Sequence, residues 1–307
     1  METTDKYYEN DCYFVNSVGL LKSCTFFSDI PFSESKNEYL IRMINSNKMF
    51  NGMTIHVIGH LLVNFIENIL PNINNKFILV TGHSDTTMPN DLEAYYIHTL
   101  LTNPFLIKWY AQNLILDNVK KYNKCYQLPI GLDYHTLFIH KTHRFKNNNN
   151  SIFPIHQENS LQDIRKTTLP FDKRECKIYM NYSLYSDKFN ERLNAFKLIP
   201  SELLVLDFDP KTRDELWNKM KNYSFVLSPK GIGMDCHRTW EILCLGGIPI
   251  IKDNIFNELY SDLPILFVNE WSDININLLQ DTIKKFQEKT FNYTKLTLKY
   301  WVDKIKE

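Results

Sequence analysis

Phe225-Val-Leu-Ser-Pro-Lys-Gly-Ile-Gly-Met-Asp-Cys-His-Arg-Thr-Trp-Glu241, continued by Ile242-Leu-Cys-Leu-Gly-Gly-Ile-Pro-Ile-Ile251, reads as strand, glycine loop, short helix, strand. Phe225 to Leu227 is a brief apolar run of the kind that fills a buried parallel strand. Ser228 to Gly233 is a loop whose two glycines let backbone approach a ligand closely. Asp235 is the expected N-cap of a helix over 235–245; Gly246 and Gly247 stop it, and Ile248 to Ile251 is a second buried strand. A glycine loop that feeds a helix N-terminus is an anion site, because unpaired N–H groups and the helix dipole point the same way. Arg238 and Glu241 are three apart and share one helix face. A guanidinium there can meet a phosphate, and a carboxylate can accept from two ribose hydroxyls. The stretch therefore points to a nucleotide-diphosphate site.

The pattern extends outward on both sides. Upstream, strands are expected at 54–58 and 76–81 with a helix at 61–70 between them, one βαβ unit. Helices are expected at 94–101 and 105–113, and strands at 114–116 and 125–130. The polar run 147–150 (four asparagines) lies in a poorly patterned stretch, so 141–172 reads as a connection or long surface loop. From Cys176 a second α/β block follows, with strands at 177–181, 203–207, 224–228, 248–251 and 265–268. Its helices are expected at 188–198, 212–222, 235–245 and 275–288, and Tyr293 to Lys306 is amphipathic. Ligands of such sheets bind beyond the carboxyl ends of strands. Gly59-His60, Gly82 to Asp85 and Ser228 to Asp235 each follow a strand.

Composition excludes several classes. Lys plus Arg and Asp plus Glu are 35 each, so net charge is zero and no global field favours nucleic acid or an anionic membrane. The polar start Met1-Glu-Thr-Thr-Asp-Lys has no signal-peptide core, and no apolar run reaches the ~18 residues of a membrane span. The six cysteines lack metal or disulfide spacing and read as reduced thiols, which places the chain in the cytoplasm. The 228–235 loop lacks the Gly-Lys-Ser/Thr ending of a phosphate-transferring P-loop.

Ser228-Pro-Lys-Gly-Ile-Gly-Met-Asp-Cys-His-Arg-Thr-Trp-Glu241 with Leu245-Gly-Gly-Ile-Pro-Ile250 resembles the donor-binding motif of exostosin-like glycosyltransferases. It is most similar to the short versions of large DNA viruses, in which case the cytoplasm would be the host's. Phe77-Ile-Leu-Val-Thr-Gly-His-Ser-Asp85, Leu128-Pro-Ile-Gly-Leu-Asp133 and Leu263-Pro-Ile-Leu-Phe-Val-Asn-Glu-Trp271 carry the same resemblance, which spans roughly residues 53 to 275. It implies an α/β fold of GT-B type, two Rossmann-like domains facing a central cleft. These would be an acceptor-side domain over 1–150, a nucleotide-sugar domain over 173–290, and a terminal helix over 291–307 returning to the first.

The resemblance also implies roles. Arg238 would pair with the diphosphate and Glu241 with the ribose. Gly231 and Gly233 would admit the phosphates, and Ser228, Lys230 and Asp235 are further donor-site candidates, Asp235 being read first as a helix cap. The general base would be Asp85, with His83 as the alternative and Asp133 as a third. The implied reaction is inverting transfer of a sugar from a nucleoside diphosphate, with UDP-sugar the expected donor, to a glycan hydroxyl. It needs no cofactor or metal. Asp207-Phe-Asp209 has the letters of a metal-binding pair but reads as a polar turn. The other reading is a binding relative that keeps Arg238 and Glu241 and has lost its base.

Overall fold

A computed structural model describes residues 9–27, 38–46, 49–139, 153–184, 190–209, 211–252 and 256–307. The chain is α/β, and its described residues form two parallel sheets. The first has the order β1 (Met53–Ile58), β2 (Phe77–Gly82), β3 (Leu106–Gln112) and β4 (Cys125–Leu128). The second comprises β5 (Glu175–Met180), β6 (Leu204–Leu206), β7 (Tyr223–Leu227), β8 (Ile248–Lys252) and β9 (Leu266–Val268), in the order β6-β5-β7-β8-β9.

Strand alternation divides the apolar side chains among three clusters. Ile78 and Val80 of β2, Tyr179 of β5 and Val226 of β7 join one core with residues of both sheets. Phe77 and Leu79 turn to a second cluster behind the first sheet. Ile178, Met180, Phe225 and Leu227 turn to a third behind the second sheet. The helix Leu298–Lys306 packs at the shared core: Leu298 N–H donates to Tyr13 O at 2.9 Å, and Tyr110 on β3 donates its hydroxyl to Lys304 O at 2.6 Å.

Two expectations are corrected. Residues 105–113 do not form a helix: 106–112 are β3, held between β2 and β4. Its last four residues are all buried, so both faces are covered and the period-two signal is erased. The expected strand over 114–116 is an isolated bridge from Leu114 to Met88. Within the expected connection 141–172, Pro154–Lys166 is a helix of thirteen residues; the asparagine run at 147–150 lies outside the described residues.

The Gly-Gly stop is formed as its residues require. Gly246 has φ +70°, and Gly246 and Gly247 N–H bond back to Leu243 O and Ile242 O. Arg174 donates to Leu245 O and Gly246 O, capping the same helix end. A Cβ on Gly246 would lie 3.2 Å from Arg174 Nη2. Gly246→Ala is therefore expected to cost about 1–2 kcal/mol in urea unfolding, from left-handed strain at a non-glycine residue. No cost would show that the turn relaxes.

Candidate functional site

One pocket, a cavity of about 660 Å³, collects residues that follow five different strands. Asp85 follows β2, Asp133 follows β4, Asn181 and Tyr182 follow β5, Asp209 follows β6, and Gly231 to Glu241 follow β7. All five are carboxyl ends of parallel strands, where the fold leaves loops free to meet a ligand. Its volume lies within the range of small-molecule sites.

The β7 segment forms one wall. The helix is His237–Cys244, beginning two residues later than the sequence suggests, and no side chain caps it. Asp235 is thus not its N-cap. Its two carboxylate oxygens are taken elsewhere: Oδ1 accepts from the Tyr260 hydroxyl at 2.5 Å, Oδ2 from Ile130 N–H at 2.8 Å, and both from Trp240 Nε1 at 3.0 Å. Burial pushes the Asp235 carboxyl up against those donors. The open helix start leaves first-turn N–H groups available to an anion.

Arg238 and Glu241 both line the pocket. Arg238 donates to Asn181 Oδ1, and its guanidinium sits 5.7 Å from the centre of the Tyr182 ring. Arg192 lies on the same ring at 5.5 Å and also lines the pocket. Burial draws the Arg238 pKa down and Arg192 adds to this, while Glu241 opposes it. Glu241 is 8 % exposed, yet its carboxylate forms no hydrogen bond or ion pair among the described residues. A buried carboxylate without donors is costly unless a ligand supplies them.

Gly231 and Gly233 also line the pocket. A Cβ on Gly231 would lie 3.0 Å from Arg192 Nη2, and one on Gly233 would lie 3.1 Å from Asp85 Oδ1. Both glycines keep the loop close to charged groups. Ser228 is buried outside the pocket lining, its hydroxyl 2.9 Å from that of Thr239. Lys230 is half-buried and does not line the pocket.

Across the pocket, β2 ends at Gly82 and His83 takes a left-handed φ of 53°. His83 N–H donates to Gln112 Oε1 at 2.8 Å, which turns the chain so that Asp85 stands exposed in the pocket. The Asp85 carboxylate has no partner among the described residues. His83 does not line the pocket; its ring packs on His135 at 4.5 Å, and burial with neighbouring His135 holds its pKa well below the ordinary value. Asp133 accepts from Arg213 Nη2 at 3.1 Å and from Thr136 N–H at 2.9 Å. Burial would raise its carboxyl, but His135, Arg213 and His237 hold it far below the carboxylate range. Asp207 accepts from Tyr179 at 2.8 Å and pairs with Lys211 at 2.6 Å, so this carboxylate of the Asp-x-Asp pair is already satisfied by protein groups.

Sequence reasoning missed four residues. Arg192, Asn181 and Tyr182 come to Arg238 from the β5 side. Asn113, at the end of β3, ties the two walls: its Oδ1 accepts from Met234 and Asp235 N–H at 3.1 and 2.8 Å, and its Nδ2 donates to Ser84 O at 3.2 Å. The only local signal for Asn113 was a polar pair, Gln112-Asn113, closing an apolar run.

No protein-family model matches the chain, so the exostosin resemblance rests on the quoted residues alone. No curated protein matches it. Among solved structures, the chain is similar to the N-terminal domain of Candida albicans trehalose-6-phosphate phosphatase, at 12% identity and a TM-score of 0.44, over 88% of this chain and 75% of that one. It is also similar to an α1,3-fucosyltransferase with GDP-fucose, at 14% identity and a TM-score of 0.37, over 95% and 96%. At these values neither likeness assigns an activity. Among the described residues no helix is long and apolar enough to cross a membrane, and all six cysteines are unbridged.

Proposed function

We propose that the chain is a glycosyltransferase of GT-B type that takes a nucleoside-diphosphate sugar, with UDP the expected nucleotide, and transfers the sugar to a hydroxyl of a glycan. The observation that carries this reading is Glu241: a carboxylate 8 % exposed, without a protein donor among the described residues, in one pocket with Arg238. Ribose hydroxyls are the donors such a carboxylate lacks. Arg238, beside the uncapped helix start and with Arg192 on the same tyrosine ring, suits the diphosphate; its planar fork matches phosphate oxygens better than an ammonium would.

In the inverting form of the reaction, the acceptor oxygen attacks the anomeric carbon as the bond to the diphosphate oxygen breaks. The hydroxyl proton passes to a general base, and Asp85 suits that role because its carboxylate is exposed in the pocket and unpaired. The negative charge that builds on the leaving diphosphate is met by Arg238 and first-turn N–H groups. Donor binding on this reading needs no metal.

Titration calorimetry with UDP, GDP and CMP in EDTA tests it. Wild type is expected to bind UDP, and Glu241→Ala and Arg238→Ala are each expected to weaken that binding by roughly 10- to 100-fold, the scale of one or two charge-assisted hydrogen bonds. If none of the three nucleotides binds, the reading fails.

A further inference from the structure

Asp133, His135 and His237 each bring one ligand atom to within 4.8 Å of the others. We propose that these three side chains bind a divalent transition-metal ion, with zinc the best chemical match, beside the pocket that Asp133 and His237 line. The inference goes beyond the nucleotide reading and does not depend on it.

Three observations support the site. The first is spacing. His135 Nδ1 lies 3.3 Å from Asp133 Oδ1, about the separation of two ligands that are each ~2.0–2.1 Å from a tetrahedral zinc. The second is the ring orientation of His237. Its Nδ1 lies 2.7 Å from Gly131 O, and since a carbonyl only accepts, Nδ1 carries the proton and Nε2 keeps its lone pair for a metal. A backbone carbonyl that fixes the second nitrogen is the usual outer support of a ligating histidine. The third is Asp133. Arg213 Nη2 holds Oδ2, so Oδ1 is the oxygen that faces His135 and the ion, with Thr136 N–H as its other partner at 2.9 Å. Asp133 therefore keeps its guanidinium partner when the ion is bound.

Three protein ligands leave one position open, as in zinc sites that carry water or a substrate oxygen. Asp133 and His237 line the pocket, so that position opens where a hydroxyl-bearing ligand would lie. Oxygen and nitrogen donors without a thiolate favour zinc, cobalt or nickel over magnesium or calcium. His83, whose ring packs on His135 at 4.5 Å, is not one of the three.

The test uses the full chain, stripped with chelator and dialysed, titrated with Co²⁺ and separately Zn²⁺ in the absence of nucleotide. One equivalent is expected to bind, with a visible cobalt spectrum of low symmetry that zinc displaces. His135→Gln and His237→Gln are each expected to weaken binding on the order of 100-fold with unchanged far-ultraviolet circular dichroism. His156→Gln, outside the pocket lining, should leave it unchanged. Absence of stoichiometric binding overturns the proposal, and so does one-equivalent binding that survives the His135→Gln/His237→Gln double substitution. UDP binding measured in EDTA reports on the nucleotide reading alone, so the two can fail separately.

Discussion

Asp235→Ala is expected to lower unfolding stability by about 3–5 kcal/mol, a large share of the 5–15 kcal/mol of a typical domain. The substitution strands three donors at once: the Tyr260 hydroxyl, the Trp240 indole N–H and Ile130 N–H. Trp240 is fully buried and Tyr260 is 3 % exposed, so water does not readily replace the lost acceptor. Each buried donor left without a partner costs roughly 1–3 kcal/mol, and the relief of the carboxylate's own burial returns part of the total. The shortened side chain also leaves a void beside Trp240. Asp235→Asn keeps one carbonyl oxygen and should fall between the two, at about 1–2 kcal/mol. Urea unfolding followed by tryptophan fluorescence measures both. A loss below about 1 kcal/mol for the alanine variant would mean that the network relaxes onto other acceptors and that Asp235 does not hold the β7 loop to Ile130.

Asp85→Asn is expected to reduce sugar transfer by about 10²- to 10⁴-fold, the usual contribution of a positioned general base. The amide keeps the shape and loses the basic oxygen. UDP affinity should be unchanged, because Arg238 and Glu241 lie on the other wall. No protein hydrogen bond among the described residues depends on the Asp85 charge, so folding should be unaffected. Single-turnover release of UDP from a panel of UDP-sugars with a glycan array gives the rate. His83→Ala, at a residue outside the pocket lining, is expected to change it much less. The reverse result, a normal Asp85→Asn and a dead His83→Ala, would move the base to His83. If UDP binds with Glu241 dependence and no variant or acceptor shows transfer, the chain is a nucleotide-binding relative that has lost its catalysis.

Legibility in the sequence followed the range of the interactions involved. The segment from Phe225 to Ile251 was readable because every feature in it is local: an apolar run, glycines, a helix and its Gly-Gly stop within 27 residues. The shared face of Arg238 and Glu241 follows from helical spacing alone. Asp235 was misread for the complementary reason. A helix cap is the local use of an aspartate, whereas its real partners, Ile130 and Tyr260, stand 105 and 25 residues away. A carboxylate gains more from three buried donors than from one exposed helix end.

The same division holds for the strands. The segments of β1, β2 and β4 to β9 show in the sequence as short strand-like runs near turn residues. β3 does not, because Lys108 interrupts the run and its inner position covers both faces. By itself the sequence determined that the chain alternates strands and helices, and that a guanidinium and a carboxylate, Arg238 and Glu241, share one face of one helix. Tertiary structure alone decided which distant groups share the pocket. It brought Arg192 to the ring that Arg238 occupies, set Asp85 against Gly233, and gathered Asp133, His135 and His237 into one cluster. The physical reason is that periodicity and turn chemistry act over a few residues, whereas the ends of parallel strands meet in space however far apart the chain places them.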